Sequence, residues 1–439
     1  MLQYIIAFIG IIIFGYFIVI KPTIETYVLF VAYGLCLIDT KILPMEYGLL
    51  RFFDVVSIVA LILFFKEFIN FTSNGKGRIY LILVILFWLF IILGKINSQF
   101  PLNNLQFTYQ PFTIFIYARF VMLYLEKKKD NLYKFVQAFQ LSIIAMVLVV
   151  FIQVVVGVQF SYMSGSSSNV FNESTGITRY PGLFLDSQTS GQFLALGSFS
   201  FLIFQPNSST RKKQLYYIAF AFSVLAILLA GSRSALGGWL VGMVIVFFSM
   251  SARIKSTIIL LAVMLFTTLT LLSPEGGGIF SRTDTISSDF LFRKSIWDET
   301  GDIIAQYPIL GIGLANFQKY IKMYHQDLYL ITEAGGDLYY LNQPENGYLK
   351  ILVEHGYIGF FIFVILICLP LLSCFKKIYN GYQAKEMIYP VAAILSWGIA
   401  FNTVYSLIDY RMLLAVATYI CLCIYSSKST YVWTKNYIN

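Results

Sequence analysis

The chain has 439 residues, of which 58% are hydrophobic and 12% are charged, and its mean hydropathy is +0.74. Soluble globular proteins are about 45–50% apolar and about 25% charged. The composition therefore excludes a soluble globular protein and predicts an all-α integral membrane protein with many spans.

The net charge of +9 is unevenly distributed along the chain. Residues 273–345 contain ten acidic and five basic residues, so this stretch carries −5 and the rest of the chain carries +14. We assign the basic excess to cytoplasmic loops rather than to nucleic-acid binding. Two histidines, no acidic cluster, and cysteines in or beside apolar runs predict no metal site and no disulfide framework. Gly311-x-Gly313 lacks a preceding strand, so dinucleotide binding is not expected and no cofactor is predicted.

Thirteen segments have the apolar character of membrane-spanning helices, which need about 20 such residues. They cover residues 2–20, 24–38, 50–66, 79–95, 108–125, 135–157, 187–205, 215–230, 235–250, 256–272, 347–374, 388–405 and 409–426. Segment 24–38 is the weakest, and the pattern fits twelve to fourteen spans. The first segment has no basic region before it and no small-residue cleavage site, so we expect a spanning helix rather than a removable signal peptide.

Four basic clusters are separated by even numbers of predicted spans, which places them on one side of the membrane. They are residues 127–129, 211–213, 253–255 and 376–377. The positive-inside rule assigns this side to the cytoplasm. The Ser-rich loop 159–186, the junction 231–234 and the acidic loop 273–346 then share the extracytoplasmic side.

The predicted organisation has three parts: transmembrane helices in residues 1–272, an extracytoplasmic subdomain in 273–346, and C-terminal transmembrane helices in 347–439. The loop 273–346 is too long to be a simple connector. Its stretch "SDFLFRKSIWDETGDIIAQYP" predicts a helix that Pro308 ends. "ILGIGLANFQKYIKMY" predicts a Gly-rich turn that enters a second short helix.

Four arginines lie near predicted outer membrane boundaries, against the positive-inside tendency: Arg179, Arg233, Arg282 and Arg293. Arginine holds a diphosphate well because its planar guanidinium donates two hydrogen bonds and never loses its charge. Ser232 and Ser234 flank Arg233 and could add hydroxyl donors at a helix N-terminus. The alternative is that these arginines reach the lipid headgroups or pair with an acid such as Asp186.

The stretch "QPENGYLKILVEHGYIGF", residues 343–360, closes the acidic loop and starts a spanning helix. Asn346, Lys350 and Glu354 recur every four residues, so they share one helix face and are candidate substrate-binding residues. Glu345 stands at the outer mouth, where a carboxylate could take a proton from an attacking hydroxyl. The alternatives are a buried Lys350–Glu354 ion pair, and an acid at Glu345 that complements the helix dipole.

Three other charged features are predicted to be structural. Arg119 lies inside a span near its basic end and is expected to snorkel toward the headgroups. Arg51 with Asp54, and Asp409 with Arg411, are expected to be structural pairs rather than a transport relay.

Four pieces of the chain together resemble the bacterial O-antigen polymerase and O-antigen ligase superfamily. "AGSRSALGG" resembles its small-Ser-Arg-Ser motif, and "RYPGLFLDSQTSGQFLALG" resembles its Arg-x-x-Gly segment entering a helix. "RKSIWDETGDIIAQYPILGIGLANF" resembles the Arg, Trp, Pro-x-x-Gly-x-Gly and Phe pattern of its large periplasmic loop. "PENGYLKILVEHGYIGF" resembles the segment that closes that loop.

The resemblance implies a metal-independent glycosyltransferase of the bacterial cytoplasmic (inner) membrane, with its active site on the extracytoplasmic face. The implied donor is a glycan on undecaprenyl diphosphate, and the acceptor is the hydroxyl of another lipid-linked repeat. Glu345, Arg233 and Arg179 are the implied catalytic residues, and Arg293 and Arg282 share the substrates. Membrane lipid, a chain-length regulator and a repeat-unit flippase are the further partners that it implies.

One departure from the ligase pattern bears on the activity. Ligases usually carry a histidine where this chain has Glu345. The replacement favours a polymerase of O-antigen, capsule or exopolysaccharide repeats over a ligase, which passes finished polymer to a final acceptor. A transporter or flippase for a lipid-linked sugar is a third possibility, but the two related halves with interrupted helices that are typical of transporters are not visible in the sequence.

Overall fold

The structure of the protein is a computed structural model, which describes residues 2–42, 50–70, 76–158, 171–172, 177–205, 207–248, 286–325, 330–332, 338–340, 343–380 and 385–428. The predicted span 256–272, the basic cluster 253–255 and Arg282 lie outside the described residues.

Fifteen α-helices make up most of the described chain. They are α1 (Leu2–Ile20), α2 (Ile24–Tyr33), α3 (Phe52–Leu63), α4 (Phe65–Ile69), α5 (Lys76–Ile96), α6 (Gln110–Lys127), α7 (Asp130–Val156), α8 (Ser187–Ser198), α9 (Thr210–Ala230), α10 (Arg233–Phe248), α11 (Ile286–Gln306), α12 (Phe317–Tyr324), α13 (Gly347–Tyr379), α14 (Lys385–Ala400) and α15 (Tyr410–Lys428). Short antiparallel hairpins pair β1 (Phe171–Asn172) with β2 (Ile177–Thr178) and β3 (Leu330–Thr332) with β4 (Leu338–Tyr340).

Six of the described helices are long and apolar enough to cross a membrane, namely α1, α5, α7, α9, α13 and α15. Shorter apolar helices occur in α2, α3, α10 and α14. These findings confirm the all-α integral membrane class. Three predicted spans are not single helices: α2 gives way to a 3-10 turn (Leu35–Leu37), α3 breaks at Phe64, and α8 continues as a 3-10 turn (Phe199–Leu202).

One end of the helix bundle is basic. Lys428, in the last turn of α15, pairs with Glu126 of α6 at 2.7 Å, and Lys134 of α7 lies 3.8 Å from Glu25 of α2. The basic cluster 127–129 joins α6 to α7 at this basic end. Helices α8, α10, α13 and α15 begin at the opposite end, where the candidate site lies.

Helix α10 packs closely against α14 through two glycines four residues apart. A Cβ atom at Gly238 would lie 2.1 Å from the carbonyl oxygen of Ser396, and one at Gly242 would lie 2.8 Å from that of Ala392. Small residues at this spacing allow helix backbones to approach each other within a membrane. The contact fixes the start of α10 beside the C-terminal half of α14.

Helix α13 is broken at Gly356, whose φ of 62° and ψ of −175° are not helical. The Gly-rich turn 308–313 forms hydrogen bonds with the backbone groups that the break leaves unpaired. The bonds run from Ile312 N to Val353 O (2.9 Å), from Gly313 N to Glu354 O (3.0 Å) and from Tyr357 N to Pro308 O (2.7 Å). The outer turns of α13 are therefore bonded to the loop, and the predicted helix, turn and short helix (α11, 308–313, α12) are confirmed.

The expectation that Arg119 snorkels toward the headgroups is wrong. The residue is fully buried, and its guanidinium donates from Nε to the carbonyl of Phe68 (3.2 Å) and from Nη2 to that of Asn70 (2.6 Å). The last carbonyls of a helix have no partner within it. Arg119 therefore caps the end of α4.

Of the two predicted structural pairs, one forms as expected and the other has a different acidic partner. The Arg51 guanidinium pairs with Asp39, and only its backbone N–H donates to Asp54, at 3.0 Å. The Arg411–Asp409 pair forms as expected, with Arg411 Nε 2.9 Å from Asp409 Oδ1. Arg411 also donates to the carbonyl of Leu183 and thereby holds the segment that leads into α8.

Candidate functional site

The candidate site is built from three segments at the end of the bundle opposite the basic end. These are residues 179–186 before α8, residues 231–234 between α9 and α10, and residues 343–346 before α13. Helix α11 lies over the third segment. Helix starts gather here, so unpaired backbone N–H groups and positive dipole ends point toward this end of the molecule.

The small residues around Arg233 shape a tight helix–turn–helix junction. Gly231 ends α9 with a left-handed φ of 65°, which glycine adopts without strain. Ser232 is buried and caps α10, because its Oγ accepts from the backbone N–H of Ala235 at 3.4 Å. The Ser232 and Ser234 hydroxyls lie 3.4 Å apart. Both hydroxyls therefore belong to the start of α10.

Arg233 is the first residue of α10, and its side chain is exposed. The guanidinium makes no hydrogen bond or ion pair with any residue that the structure describes. A cation at a helix N-terminus opposes the helix dipole, so it does not stabilise α10. An exposed guanidinium in this position is well suited to an anionic ligand.

Arg179 lies directly over the same turn. A Cβ atom at Gly231 would be 3.0 Å from Cγ of Arg179, and Tyr180 N donates to Leu229 O at 3.1 Å. Two of the predicted arginines thus flank one short turn, and glycine at 231 leaves room for the Arg179 side chain.

Helix α8 connects this turn to the rest of the site. Asp186 caps α8, accepting from Gln188 N at 3.1 Å and from Thr189 N at 2.8 Å. One turn further, a Cβ atom at Gly191 would lie 2.6 Å from Cβ of Ser232. Among the described residues, Asp186 forms no ion pair with an arginine; the pattern Asp-Ser-Gln-Thr before a helix is typical of an N-cap.

Glu345 adopts a left-handed backbone conformation, with a φ of 50°. Arg293 Nη2 donates to Glu345 Oε2 at 3.4 Å, and Trp297 Nε1 donates to the carbonyl of Pro344 at 3.1 Å. The pair is partly open, since the side chains of Arg293 and Glu345 are 29% and 21% exposed. Two residues of α11 thus hold the segment that carries the candidate base.

The charges around Glu345 act in opposite directions. Burial raises the pKa of the Glu345 carboxyl above its usual range, Arg293 lowers this pKa, and the nearby Asp186 carboxylate raises it. The raised pKa makes the carboxylate a stronger base than an exposed glutamate. The same interaction indicates that Asp186 and Glu345 lie near each other.

The three other candidates on α13 make structural contacts. Asn346 caps α13 by accepting from Tyr348 N at 2.9 Å, and its amide donates to Asn402 at 2.9 Å. Lys350 and Glu354 form a buried ion pair of 2.8 Å. Glu354 also accepts from the backbone N–H of Phe317 at 3.3 Å, and this contact fixes the start of α12. These contacts support the structural alternative for Lys350 and Glu354.

An apolar cavity of about 130 Å³ lies beside this site, between α5, α6, α13, α14 and α15. Its lining includes Ile91, Phe363, Trp397, Tyr405 and Leu413. Tyr405 N donates to the side chain of Gln343 at 2.6 Å, so the cavity reaches the segment that carries Glu345.

Residues 218–364 match the family model described as O-antigen ligase. The match covers 147 of the 439 residues and supports the resemblance drawn from the motifs. Among curated proteins, none matches the chain.

The matched segment includes Arg233, Arg293 and Glu345, while Arg179 and Asp186 precede it. The motifs that carry the resemblance therefore coincide with the structural junctions described above. The Ser-Arg-Ser motif is the start of α10, and the Pro-x-x-Gly-x-Gly motif is the turn that bonds to the break in α13.

Proposed function

We propose that the chain polymerises the repeat units of an O-antigen, capsule or exopolysaccharide on the extracytoplasmic face of the membrane. In this reaction a glycan leaves undecaprenyl diphosphate and joins the hydroxyl of a lipid-linked acceptor repeat. The observation that carries the proposal is the exposed Arg233 guanidinium at the start of α10, with Arg179 packed over the same turn. Two permanent cations beside a helix N-terminus favour a diphosphate.

The reaction needs charge stabilisation and a base, and both are available from the side chains of the site. The acceptor oxygen attacks C1 of the donor sugar, the new glycosidic bond forms, and the bond from C1 to the diphosphate oxygen breaks. Arg233 and Arg179 stabilise the charge that develops on the leaving diphosphate. Glu345 takes the proton of the acceptor hydroxyl.

Arg293 and the apolar cavity support the same assignment. Arg293 holds the Glu345 carboxylate through the bond of 3.4 Å, and its remaining N–H groups can bind the acceptor. The cavity between α5, α6, α13, α14 and α15 offers an apolar space for part of a polyprenyl chain. Arg282 keeps its proposed role in substrate binding on the strength of the sequence alone.

The proposal is tested by Arg233→Ala and Arg179→Ala in a strain that depends on this chain for its polymer. We expect both variants to accumulate in the membrane and to lose chain extension, because the diphosphate charge is no longer held. Arg211→Ala is the matched control, since Arg211 is an exposed arginine at the first turn of α9 on the basic end. Normal polymer length in both variants would contradict the proposed mechanism.

A ligase activity is the second candidate, because residues 218–364 match a family described as O-antigen ligase. The glycan profile of a deletion strain separates the two. A polymerase is indicated when long chains disappear and single attached repeats remain. A ligase is indicated when all attached repeats disappear.

A further inference from the structure

Three side chains of α11 lie on one helix face beside the candidate base. Phe290, Arg293 and Trp297 are spaced three and four residues apart, so they are neighbours on the helix surface. The rings of Phe290 and Trp297 lie 6.2 Å apart at an angle of 88°. We call the nearly perpendicular rings of Phe290 and Trp297 the aromatic corner. Arg293 lies between them in the sequence.

The aromatic corner is fixed to the segment that carries Glu345. Trp297 Nε1 donates to the carbonyl of Pro344 at 3.1 Å, and Arg293 donates to Glu345 itself. The Trp297 ring is therefore bonded to the residue that precedes Glu345, and Arg293 of the same helix is bonded to the Glu345 carboxylate. A ligand that touches the corner lies within reach of the carboxylate.

Phe290 is 54% exposed, although an aromatic side chain gains most when it is buried. Its exposure leaves apolar area available next to two charged groups. This combination fits a pyranose ring, whose C–H face is apolar and slightly positive and whose rim carries hydroxyls. Aromatic faces are negative and attract the C–H face, while carboxylate and guanidinium groups bind hydroxyls.

We infer that Phe290 and Trp297 form a binding subsite for a sugar ring of the acceptor repeat, with Arg293 and Glu345 binding its hydroxyls. The acceptor is the occupant because the subsite adjoins the group that takes the acceptor's proton. This inference rests on the proposed function and adds to it the residues that position the attacking sugar.

The test is a binding titration of the full-length protein in detergent, with tryptophan fluorescence as the signal. The probe is the repeat-unit oligosaccharide released from its lipid carrier by mild acid. We expect saturable quenching for the wild type and its loss in Trp297→Phe. In Phe290→Ala we expect the Kd to rise about three- to tenfold, the size of one aromatic contact.

Two further variants separate a sugar subsite from a surface that contacts lipid. Leu291→Ala is the matched control, because Leu291 is 65% exposed on the same helix but points about 100° away from Phe290. It should bind the oligosaccharide as the wild type does. Phe290→Tyr should keep the affinity and Phe290→Leu should weaken it as Phe290→Ala does, so the result does not depend on how well Phe290→Ala folds.

Three results would overturn the subsite. They are a wild-type Kd for the oligosaccharide in Phe290→Ala, a wild-type Kd in Phe290→Leu, or an equal loss of affinity in Leu291→Ala and Phe290→Ala. The failure of the proposed function has a different outcome. In that case the wild-type protein in vesicles would form no polymer from lipid-linked repeats, whatever the titration gives.

Discussion

Glu345 is a glutamate in a backbone conformation that suits glycine or asparagine better, with a φ of 50°. A non-glycine residue in this region is strained, and such strain is often found at functional sites. The carboxylate is bonded to Arg293 on α11 and lies near Asp186, which caps α8. Position, strain and neighbours support the proposal that this side chain acts as the base.

Glu345→Gln should reduce the rate of chain extension about 100-fold or more, because an amide cannot accept the proton and general-base catalysis contributes roughly 10²–10⁴-fold. Glu345→Asp keeps the carboxylate and should retain more activity. Initial rates with lipid-linked repeats in vesicles measure both. Equal rates in Glu345→Gln and the wild type would remove the proposed base.

The pH dependence of the rate gives an independent check on the neighbours of Glu345. Because the ionised carboxylate is the active form, the rate should fall as the pH drops through the raised pKa of Glu345. Asp186→Asn still caps α8 but removes the neighbouring charge, so the acid limb of the pH–rate profile, where the rate falls, should move to lower pH. Arg293→Gln should move it to higher pH. Acid limbs that stay in place in both variants would contradict this electrostatic picture.

At the residue scale the sequence predicts which charges are unusual but not which partners they find. Arg233 and Glu345 stand out because charges are rare near a bilayer. Arg119 was expected at the headgroups, yet it caps α4, and Arg51 pairs with Asp39 rather than with Asp54. These partners come from other segments, and spacing along one helix carries no information about them.

At the scale of elements, the break in α13 shows how two motifs form one structure. The turn 308–313 and the residues around Gly356 are distant in sequence, but three backbone hydrogen bonds join them. A Cβ atom at Gly356 would lie 2.3 Å from the carbonyl oxygen of Ile309. Glycine is therefore required there by both the backbone angle and the space.

Gly356→Ala should lower the thermal unfolding midpoint of the purified protein, because a φ of 62° with a ψ of −175° is a backbone conformation essentially restricted to glycine, and strain of this kind costs about 1–3 kcal/mol. The clash with the Ile309 carbonyl adds to this cost. Gly301→Ala on α11 is the matched control. A Cβ atom there meets nothing within 4 Å, so we expect no loss and a gain of about 0.5–1 kcal/mol. Equal midpoints in the two variants would contradict the proposed requirement.

The helices themselves are largely predictable, and their interruptions are not. Hydropathy locates α1, α5, α7, α9, α13 and α15, and Pro308 correctly marks the end of the α11 region. A glycine within a helical pattern is usually tolerated, so nothing local distinguishes Gly356 from Gly359. The break exists only because a separate turn supplies the missing hydrogen bonds.

At the scale of the whole molecule, sidedness decides whether the proposed site meets extracytoplasmic substrates. Leu102 is 84% exposed between α5 and α6 at the end of the candidate site, and Lys212 is exposed in the first turn of α9 at the basic end. A membrane-impermeant maleimide added to spheroplasts should label Leu102→Cys and leave Lys212→Cys unlabelled. Both should be labelled after the membrane is opened, and the wild type serves as the blank. The reverse pattern would put the site in the cytoplasm and contradict the proposed function.

The boundary predicted at residue 346 stays a prediction, although hydrogen bonds from 308–313 to 353–357 cross it. Composition separates an acidic loop from an apolar helix, but it cannot show that the first turns of that helix are bonded to the loop. The same limit applies to Asp186, which precedes α8 in sequence and contributes to the environment of Glu345.

The crossing of that boundary has a consequence for engineered hybrids. A chimera that exchanges only residues 286–325 between relatives would leave the carbonyls of Val353 and Glu354 and the N–H of Tyr357 to an unmatched turn. Unpaired backbone groups inside a helical bundle are expensive. Residues 286–325 are thus not a transplantable module, and a graft that keeps their shape must also carry the first turns of α13.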